Sequence, residues 1–255
     1  MKAIVLAAGY ATRLRPLTDT IAKELLPVGG RPIIDWILDR LGEVDGLDGV
    51  HVVTNAQKAA QFERWAAGRA VTIHDDGTTS NDDRLGAIGD IAFVLDRTGL
   101  VDDLLVIGGD NLFTFSLAGL VGFWRSKGIA SALAVHDVGS LELARKYGIV
   151  ELDADNRVVD FVEKPEDPPS TLAATATYVY HREHVPLVRR YLEEGKPPDQ
   201  PGRLVEWLCR REPVYGYVFD GEWLDIGDPA QLQEADTRWR SRFGLPLREA
   251  YDPAP

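Results

Sequence analysis

The sequence holds one cysteine, Cys209, and one methionine, Met1. A single thiol excludes an intrachain disulfide and a cysteine-built metal cluster. Cys209 stands among Leu204, Val205 and Leu208 at helical spacing, which reads as a buried structural thiol. Basic residues are scarce beside acidic ones, 28 against 40, for a formal net charge of -12. That balance disfavours non-specific attachment to nucleic acid or an anionic membrane, so neither is expected as a partner. A polyanionic substrate would need local cations or a metal to draw it in. No apolar run approaches the ~20 residues that span a bilayer. Ala3 to Ala8 is too short for a signal-peptide core with a cleavage site, and Arg13 and Arg15 follow it, so a cytoplasmic location is expected. The dinucleotide fingerprint G-x-G-x-x-G and the P-loop G-x-x-x-x-G-K-[ST] are both missing, which disfavours a nicotinamide enzyme or a P-loop kinase. His51, His74, His136, His181 and His184 lack H-x-x-x-H metal spacing and read as surface or satisfied core residues.

What is present is the composition of an ordinary globular protein: 255 residues, 45% hydrophobic and 27% charged. Ala3 to Ala8 reads as a buried strand, Pro32 to Leu41 as an amphipathic helix with Pro32 at its first position, and Val50 to Thr54 as a strand. Helix is expected over 56–67, 82–96 and 117–127, with strands at 70–74, 104–107 and 130–136. This alternation predicts an α/β fold: a Rossmann-like, mostly parallel central sheet flanked by helices. From Tyr147 the texture changes to short strands at 148–152, 158–162 and 175–180, the first two joined by a turn at Asp153-Ala154-Asp155-Asn156. Helices are expected at 184–194 and 204–210 around a loop at 196–202. A strand at 214–219 and a closing helix from Pro229 to Arg242 follow, then a frayed tail at 253–255.

Chemistry concentrates where the first strand ends. Gly9-Tyr10-Ala11-Thr12-Arg13 is a loop that begins with a small residue, and Gly9 permits a positive φ or close approach to a ligand. Arg13, Arg15 and Lys23 follow. Free N–H groups beside fixed cations suit a polyphosphate. On these residues alone, that reading and an ordinary turn with solvated arginines stand level. Asp110 follows the most apolar strand, where a carboxylate can hold Mg²⁺ or simply cap a turn. Asp153-Ala154-Asp155 matches a D-x-D metal motif, but its context is a hairpin turn.

The longer pattern breaks the tie. Leu6-Ala7-Ala8-Gly9-Tyr10-Ala11-Thr12-Arg13-Leu14-Arg15-Pro16-Leu17-Thr18, followed by Ala22-Lys23-Glu24-Leu25-Leu26-Pro27-Val28, resembles the signature of the sugar-phosphate nucleotidyltransferases (nucleotide-sugar pyrophosphorylases), L-A-A-G-x-G-T-R-L-x-P-L-T and P-K-x-L-L-P-V. Two positions depart from it: Ala11 for the second Gly, which asks for a loop without strong steric demand there, and Ala22 for Pro. Leu85-Gly86-Ala87-Ile88-Gly89 resembles the family's L-G-T-A-G, Tyr147-Gly148-Ile149-Val150 its Y-G-V-V, Phe161-Val162-Glu163-Lys164-Pro165 its F-x-E-K-P, and Trp223-Leu224-Asp225-Ile226-Gly227-Asp228-Pro229 its W-x-D-x-G-[TD]-P.

The resemblance implies transfer of NMP from an NTP to a sugar 1-phosphate or related phosphate monoester, giving NDP-sugar and pyrophosphate. It implies Arg13, Lys23 and Lys164 as catalytic cations. Ala8, Gly9, Thr12, Arg13, Thr79 and Gly86 would lie around the nucleotide, Gly148, Glu163 and Lys164 around the sugar phosphate, and Asp110 and Asp225 on Mg²⁺. Glu163 and Lys164 can serve one site only if the strand kinks, which Pro165 makes feasible. Asp228 reads as the cap of the closing helix. The implied organisation is one domain: 1–136 for the nucleotide, 137–228 for the sugar phosphate in a smaller lobe, and 229–255 for the closing helix and tail. Ala174-Thr175-Ala176-Thr177-Tyr178 stands where relatives carry N-A-G-I-Y, so Ala174 replaces an amide that meets the sugar. Residues 78–81 lack the Q-x-x-P-x-G of thymidylyltransferases, leaving the base open. Two alternatives remain: a metal-dependent glycosyltransferase of similar fold, and a catalytically silent regulatory subunit. Homo-oligomerisation is left open.

Overall fold

A computed structural model describes residues 1–253. The last two residues of the expected tail, Ala254 and Pro255, lie outside the described residues. In chain order the first part contains β1 (Lys2–Ala7), α1 (Leu17–Thr20), β2 (Pro27–Val28), β3 (Arg31–Pro32), α2 (Ile33–Leu41), β4 (Val50–Thr54), α3 (Ala59–Ala66), β5 (Thr72–Asp75) and α4 (Ala87–Thr98). Next come β6 (Leu104–Gly108), β7 (Asn111–Phe113), α5 (Leu117–Arg125), β8 (Ser131–Asp137), α6 (Leu141–Ala144), β9 (Gly148–Leu152), β10 (Val158–Glu163) and β11 (Leu172–Tyr180). The chain closes with α7 (Leu187–Glu193), α8 (Pro201–Leu208), β12 (Val214–Val218), β13 (Trp223–Asp225) and α9 (Pro229–Arg242).

Nine strands form one mixed sheet in the order β10-β9-β11-β6-β1-β4-β5, with β8 pairing β11 and β12. β1 pairs parallel with both β4 and β6, and β4 with β5. β11 then runs antiparallel along β6, so the second half of the chain extends the same sheet. From β1 the chain goes first to one side and then to the other, which opens a crevice beyond the carboxyl ends of β1 and β6. Gly9 and Asp110 follow those two ends. β7 and β13 form a separate two-stranded ribbon in which Asn111 pairs with Asp225.

The unbroken apolar run of β1 has a physical reason. Ala3, Val5 and Ala7 enter one core cluster while Ile4 enters another on the opposite face, so both faces are covered. A third cluster packs Leu232, Ala235 and Trp239 of α9 against Leu14, Leu26 and Ile33. There the buried Asp236 accepts hydrogen bonds from Gly29 N at 2.9 Å and from Arg240 Nε at 2.8 Å.

Several expected boundaries move. The helix expected from 82 begins at Ala87, because Asp83 turns back to accept from the backbone N–H groups of Thr79 and Ser80, and Gly86 adopts φ +78°. α8 begins at Pro201 rather than 204, with the proline in the first turn, where its missing N–H costs nothing. α2 begins after Pro32, which stands just outside it. Cys209 is half-buried rather than buried, and its thiol donates to Glu206 O at 3.4 Å. Asp153 is the expected turn residue, its Oδ1 accepting from the N–H groups of Asp155 and Arg157. Asp228 caps α9 through Gln231 N at 2.9 Å. Among the described residues no helix is long and apolar enough to cross a membrane.

Candidate active site

The crevice is a cavity of ≈ 440 Å³ whose lining includes Tyr10, Lys23, Asp76, Asp110, Glu163 and Lys164. Of the residues singled out from the sequence, Ala8, Gly9, Lys23, Gly86, Asp110, Gly148, Glu163, Lys164 and Asp225 all line it. Thr12, Arg13 and Thr79 do not. Arg13 is nonetheless adjacent: a methyl group at Gly227 would come within 2.8 Å of its guanidinium. Thr79 is committed to its own loop, its N–H and hydroxyl donating to Asp83 Oδ2, both at 3.0 Å.

The first loop differs from the sequence reading in one respect. Gly9 has no positive φ, and a Cβ there would meet nothing within 4 Å. Its backbone faces open space, which leaves close approach to a ligand as its use. The left-handed residue is Ala11, at φ 44° and ψ 43°. The loop therefore does make a steric demand at the position where the family pattern has Gly, contrary to expectation, and a Cβ is held there at a cost of about 1 kcal/mol.

Lys23 opens a short 3-10 turn that brings its ammonium into the crevice, where Nζ donates to Asp110 Oδ2 at 2.6 Å. The other carboxylate oxygen of Asp110 accepts from Asn111 Nδ2 at 2.9 Å. The carbonyl of Asp110 accepts from Ile226 N at 3.1 Å, so β7 and β13 seat Asp110 and Asp225 side by side. Asp225 receives no hydrogen bond from an N–H or O–H of the described residues. Burial, reinforced by the charge of Asp110, pushes its carboxyl up to about 6, with Lys23, Arg13 and Lys164 pulling the other way. Among the described residues no group of three or more His, Cys, Asp and Glu side chains forms a metal cage. Two adjacent carboxylates, one lacking protein donors, suit a hard divalent cation that keeps waters and takes the rest of its shell from substrate.

The kink required at Lys164 exists. β10 ends at Glu163, and Lys164 adopts φ +49° while its N–H donates to Tyr147 O at 3.0 Å. Both side chains consequently reach the cavity. Gly148 and Gly202 make room for the carboxylate of Glu163; a Cβ at Gly148 would stand 2.9 Å from Oε2. Burial raises the pKa of Glu163 above the ordinary value. Ala174, Ala176 and Tyr178 of β11 also line the cavity, with Ala176 at φ +50°.

Sequence reasoning passed over Glu24, Asp76, Arg84, Asp90 and Asp199, all of which line the cavity. Glu24 is 3% exposed, and burial lifts its carboxyl to about 7 against the pull of Lys23. Arg84 donates through Nε and Nη2 to the two oxygens of Asp199, at 2.9 and 2.6 Å, a clasp between two stretches of the lining. Asp90 carried a signal that was available: an acidic residue in a helix whose neighbours Ile88, Ile91 and Ala92 are all buried.

The chain is similar to several known proteins. Over 228 residues, 89% of the chain and 61% of the relative, it is 32% identical to a mannose-1-phosphate guanylyltransferase of Mycobacterium tuberculosis. Over 262 residues, 98% of the chain and 64% of the relative, it is 30% identical to a UTP–glucose-1-phosphate uridylyltransferase of Synechocystis sp.. The chain thus spans less than two thirds of the length of these curated relatives. A UDP-glucose pyrophosphorylase solved with UDP-glucose shares the fold, with a TM-score of 0.79 at 24% identity over 94% of this chain and 98% of that one. The family model described as nucleotidyl transferase matches residues 2–242, and the chain belongs to that family.

Proposed function

We propose that this chain is a sugar-1-phosphate nucleotidyltransferase, moving NMP from an NTP to a sugar 1-phosphate or a related phosphate monoester. The observation that carries the reading is the meeting of Lys23, Asp110, Glu163, Lys164 and Asp225 in one crevice, from four separate stretches of chain. The acceptor's phosphate oxygen attacks the α-phosphorus of the NTP. The new P–O bond forms as the bond to the β-phosphate oxygen breaks, and pyrophosphate leaves with that electron pair. No protein nucleophile is needed; positioning and charge neutralisation supply the rate.

Gly9 presents backbone to the nucleotide, and Arg13 neutralises the departing pyrophosphate from the rim. Lys23 and Lys164, both on the lining of the crevice, neutralise the reacting phosphates. Glu163, beside Gly148, accepts hydroxyl hydrogens of the acceptor. Divalent metal use is general in the family, and Asp110 and Asp225 would hold Mg²⁺ here. When bound, the ion draws charge from the phosphoryl oxygens. Asp225, which receives no hydrogen bond from the described residues, and Asp110, which accepts from Lys23 at 2.6 Å, are the two carboxylates that would hold the ion.

The acceptor end is apolar where relatives carry an amide. Ala174 and Ala176 offer methyl groups, and a site lacking a hydrogen-bonding group loses discrimination for the hydroxyl it would have met. Glucose 1-phosphate is therefore not the best acceptor, and a modified sugar phosphate or another phosphate monoester is preferred. Pyrophosphate release measured over a matrix of NTPs and phosphate monoesters tests both points. Release with some pairing, and a higher kcat/KM for an acceptor other than glucose 1-phosphate, is expected. Release from no pairing by folded protein would reject the activity; a win for glucose 1-phosphate would reject the acceptor assignment.

A further inference from the structure

Asn111 lies on the lining of the crevice, and the chemistry above gives it no part. Yet both polar atoms of its side chain are committed. The residue is 2% exposed. Its Oδ1 accepts from Trp223 Nε1 at 2.6 Å. Its Nδ2 donates to Asp110 Oδ1 at 2.9 Å and to Gly108 O at 3.4 Å. An indole N–H only donates and an ionised carboxylate only accepts, so the amide fits between them in one orientation. Gly108 leaves the room for it: a Cβ there would stand 2.6 Å from Asn111 Nδ2 and 3.1 Å from Asp110 Oδ1.

This bridge gives the two carboxylates one support. The side chain of Asn111 holds Asp110, and its backbone pairs with Asp225 across β7 and β13. Trp223 stands two residues before Asp225 and is itself braced. Its ring meets Tyr147 edge-on at 4.9 Å, and Tyr147 O accepts from Lys164 N at 3.0 Å. With Asn111 on Oδ1 and Lys23 on Oδ2, the plane of the Asp110 carboxylate is set, and each oxygen keeps a lone pair for a further partner. Lys23 alone would not set that plane, because an ammonium is a point charge on a flexible stem. A planar amide, buried and bonded at both ends, defines a direction.

We propose that Asn111, fixed by Trp223, is a positioning residue for the transfer: it holds Asp110 in the orientation in which that carboxylate takes the divalent ion. The inference rests on the nucleotidyltransferase reading and adds to it a residue that acts through Asp110. Partners that orient a metal ligand from behind set much of the site's affinity.

The test follows Mn²⁺ uptake by the substrate-free protein, read from the loss of the free-ion paramagnetic resonance, for the wild type, Asn111→Leu, Trp223→Phe and the double variant. Asn111→Leu should weaken uptake by ~10-fold or more, as removal of such a partner does. Trp223→Phe keeps Asn111 but leaves its amide free to turn, and should weaken uptake in the same direction. The double variant should bind no more weakly than Asn111→Leu, because both substitutions break one bridge. A pair that only holds the fold would lower the unfolding midpoint and leave Mn²⁺ affinity unchanged. That result overturns the proposal, as do effects that add. If Asn111→Leu does not fold, Trp223→Phe decides alone on the same criterion. If the substrate-free wild type takes up no Mn²⁺, the half-saturating Mg²⁺ for turnover in the same variants decides instead. If no NTP and phosphate monoester yield pyrophosphate, the transferase reading fails by itself, and Mn²⁺ uptake still decides the role of Asn111. A wild type with neither uptake nor turnover overturns both.

Discussion

Asp236 and Asp225 are two carboxylates withdrawn from water and treated in opposite ways. Asp236 receives Gly29 N on one oxygen and Arg240 on the other, and Arg240 also donates to Pro246 O at 3.1 Å. Its charge is met within the protein, and it ties α9 to the Gly29-Gly30 turn. Asp225, which ends β13 just before α9, has cations at a distance and no donor in contact, and it shares its neighbourhood with Asp110. The satisfied carboxylate holds the fold together. The unsatisfied one is suited to a charge brought from outside, and folding has to carry its cost.

The largest effect expected from this contrast is on stability at the satisfied site. Asp236→Ala leaves the Arg240 guanidinium buried and unpaired, and should cost about 3–5 kcal/mol. Urea unfolding checks this; a loss under about 1 kcal/mol would erase the distinction between the two sites. Arg13→Ala and Lys164→Ala should each reduce turnover by ~10²-fold or more with little change in the unfolding midpoint. Turnover at the wild-type level in either would make that residue a surface charge.

A third prediction concerns pH. Asp90 has a folded-state pKa of about 8 against an ordinary 3.8, so the folded protein binds more protons than the unfolded chain between those values. Its contribution to stability is therefore fully present below pH 4 and is lost as pH rises to about 8. Stability measured across that range should decline more steeply in the wild type than in Asp90→Asn; parallel curves would show that Asp90 does not hold its proton in the folded state. The smallest effect belongs to backbone strain. Ala11→Gly should stabilise by about 1 kcal/mol, since glycine takes φ 44° without penalty. A destabilised variant would mean that the methyl group packs in a way that outweighs the strain.

These contrasts also mark what the sequence could and could not carry. Period and punctuation located β1, β4, β6, β9 and α9 to within a residue, because each is a run whose burial the neighbouring residues decide. The meeting of Lys23, Asp110, Glu163, Lys164 and Asp225 in one crevice was legible because each sits inside a contiguous motif, whereas Arg13, equally legible as a motif residue, stands outside the lining. The kink at Lys164 was legible from Pro165. Asp76 and the Arg84–Asp199 clasp were not, since they lie in loops that carry no motif or period, whereas Asp90 could have been read as an acidic residue on the buried face of a helix. β7 and β13 were missed for the same reason: three-residue strands have no period to read, and they exist because each pairs with the other. The positive φ at Ala11 contradicts what an alanine there suggests, and only the loop's closure through Leu14 N to Ala11 O accounts for it.

The central claim is that Asp110, the unsatisfied Asp225 and the cations around them serve nucleotidyl transfer. The most direct test follows both products from an NTP, a phosphate monoester and Mg²⁺, for the wild type and for Asp225→Asn. The wild type should form pyrophosphate and nucleotide-linked product in equal amounts. Asp225→Asn should fold at least as stably and turn over ~10²-fold more slowly or less. Release of NDP from an NDP-sugar without pyrophosphate chemistry, or a fully active Asp225→Asn, would contradict the account.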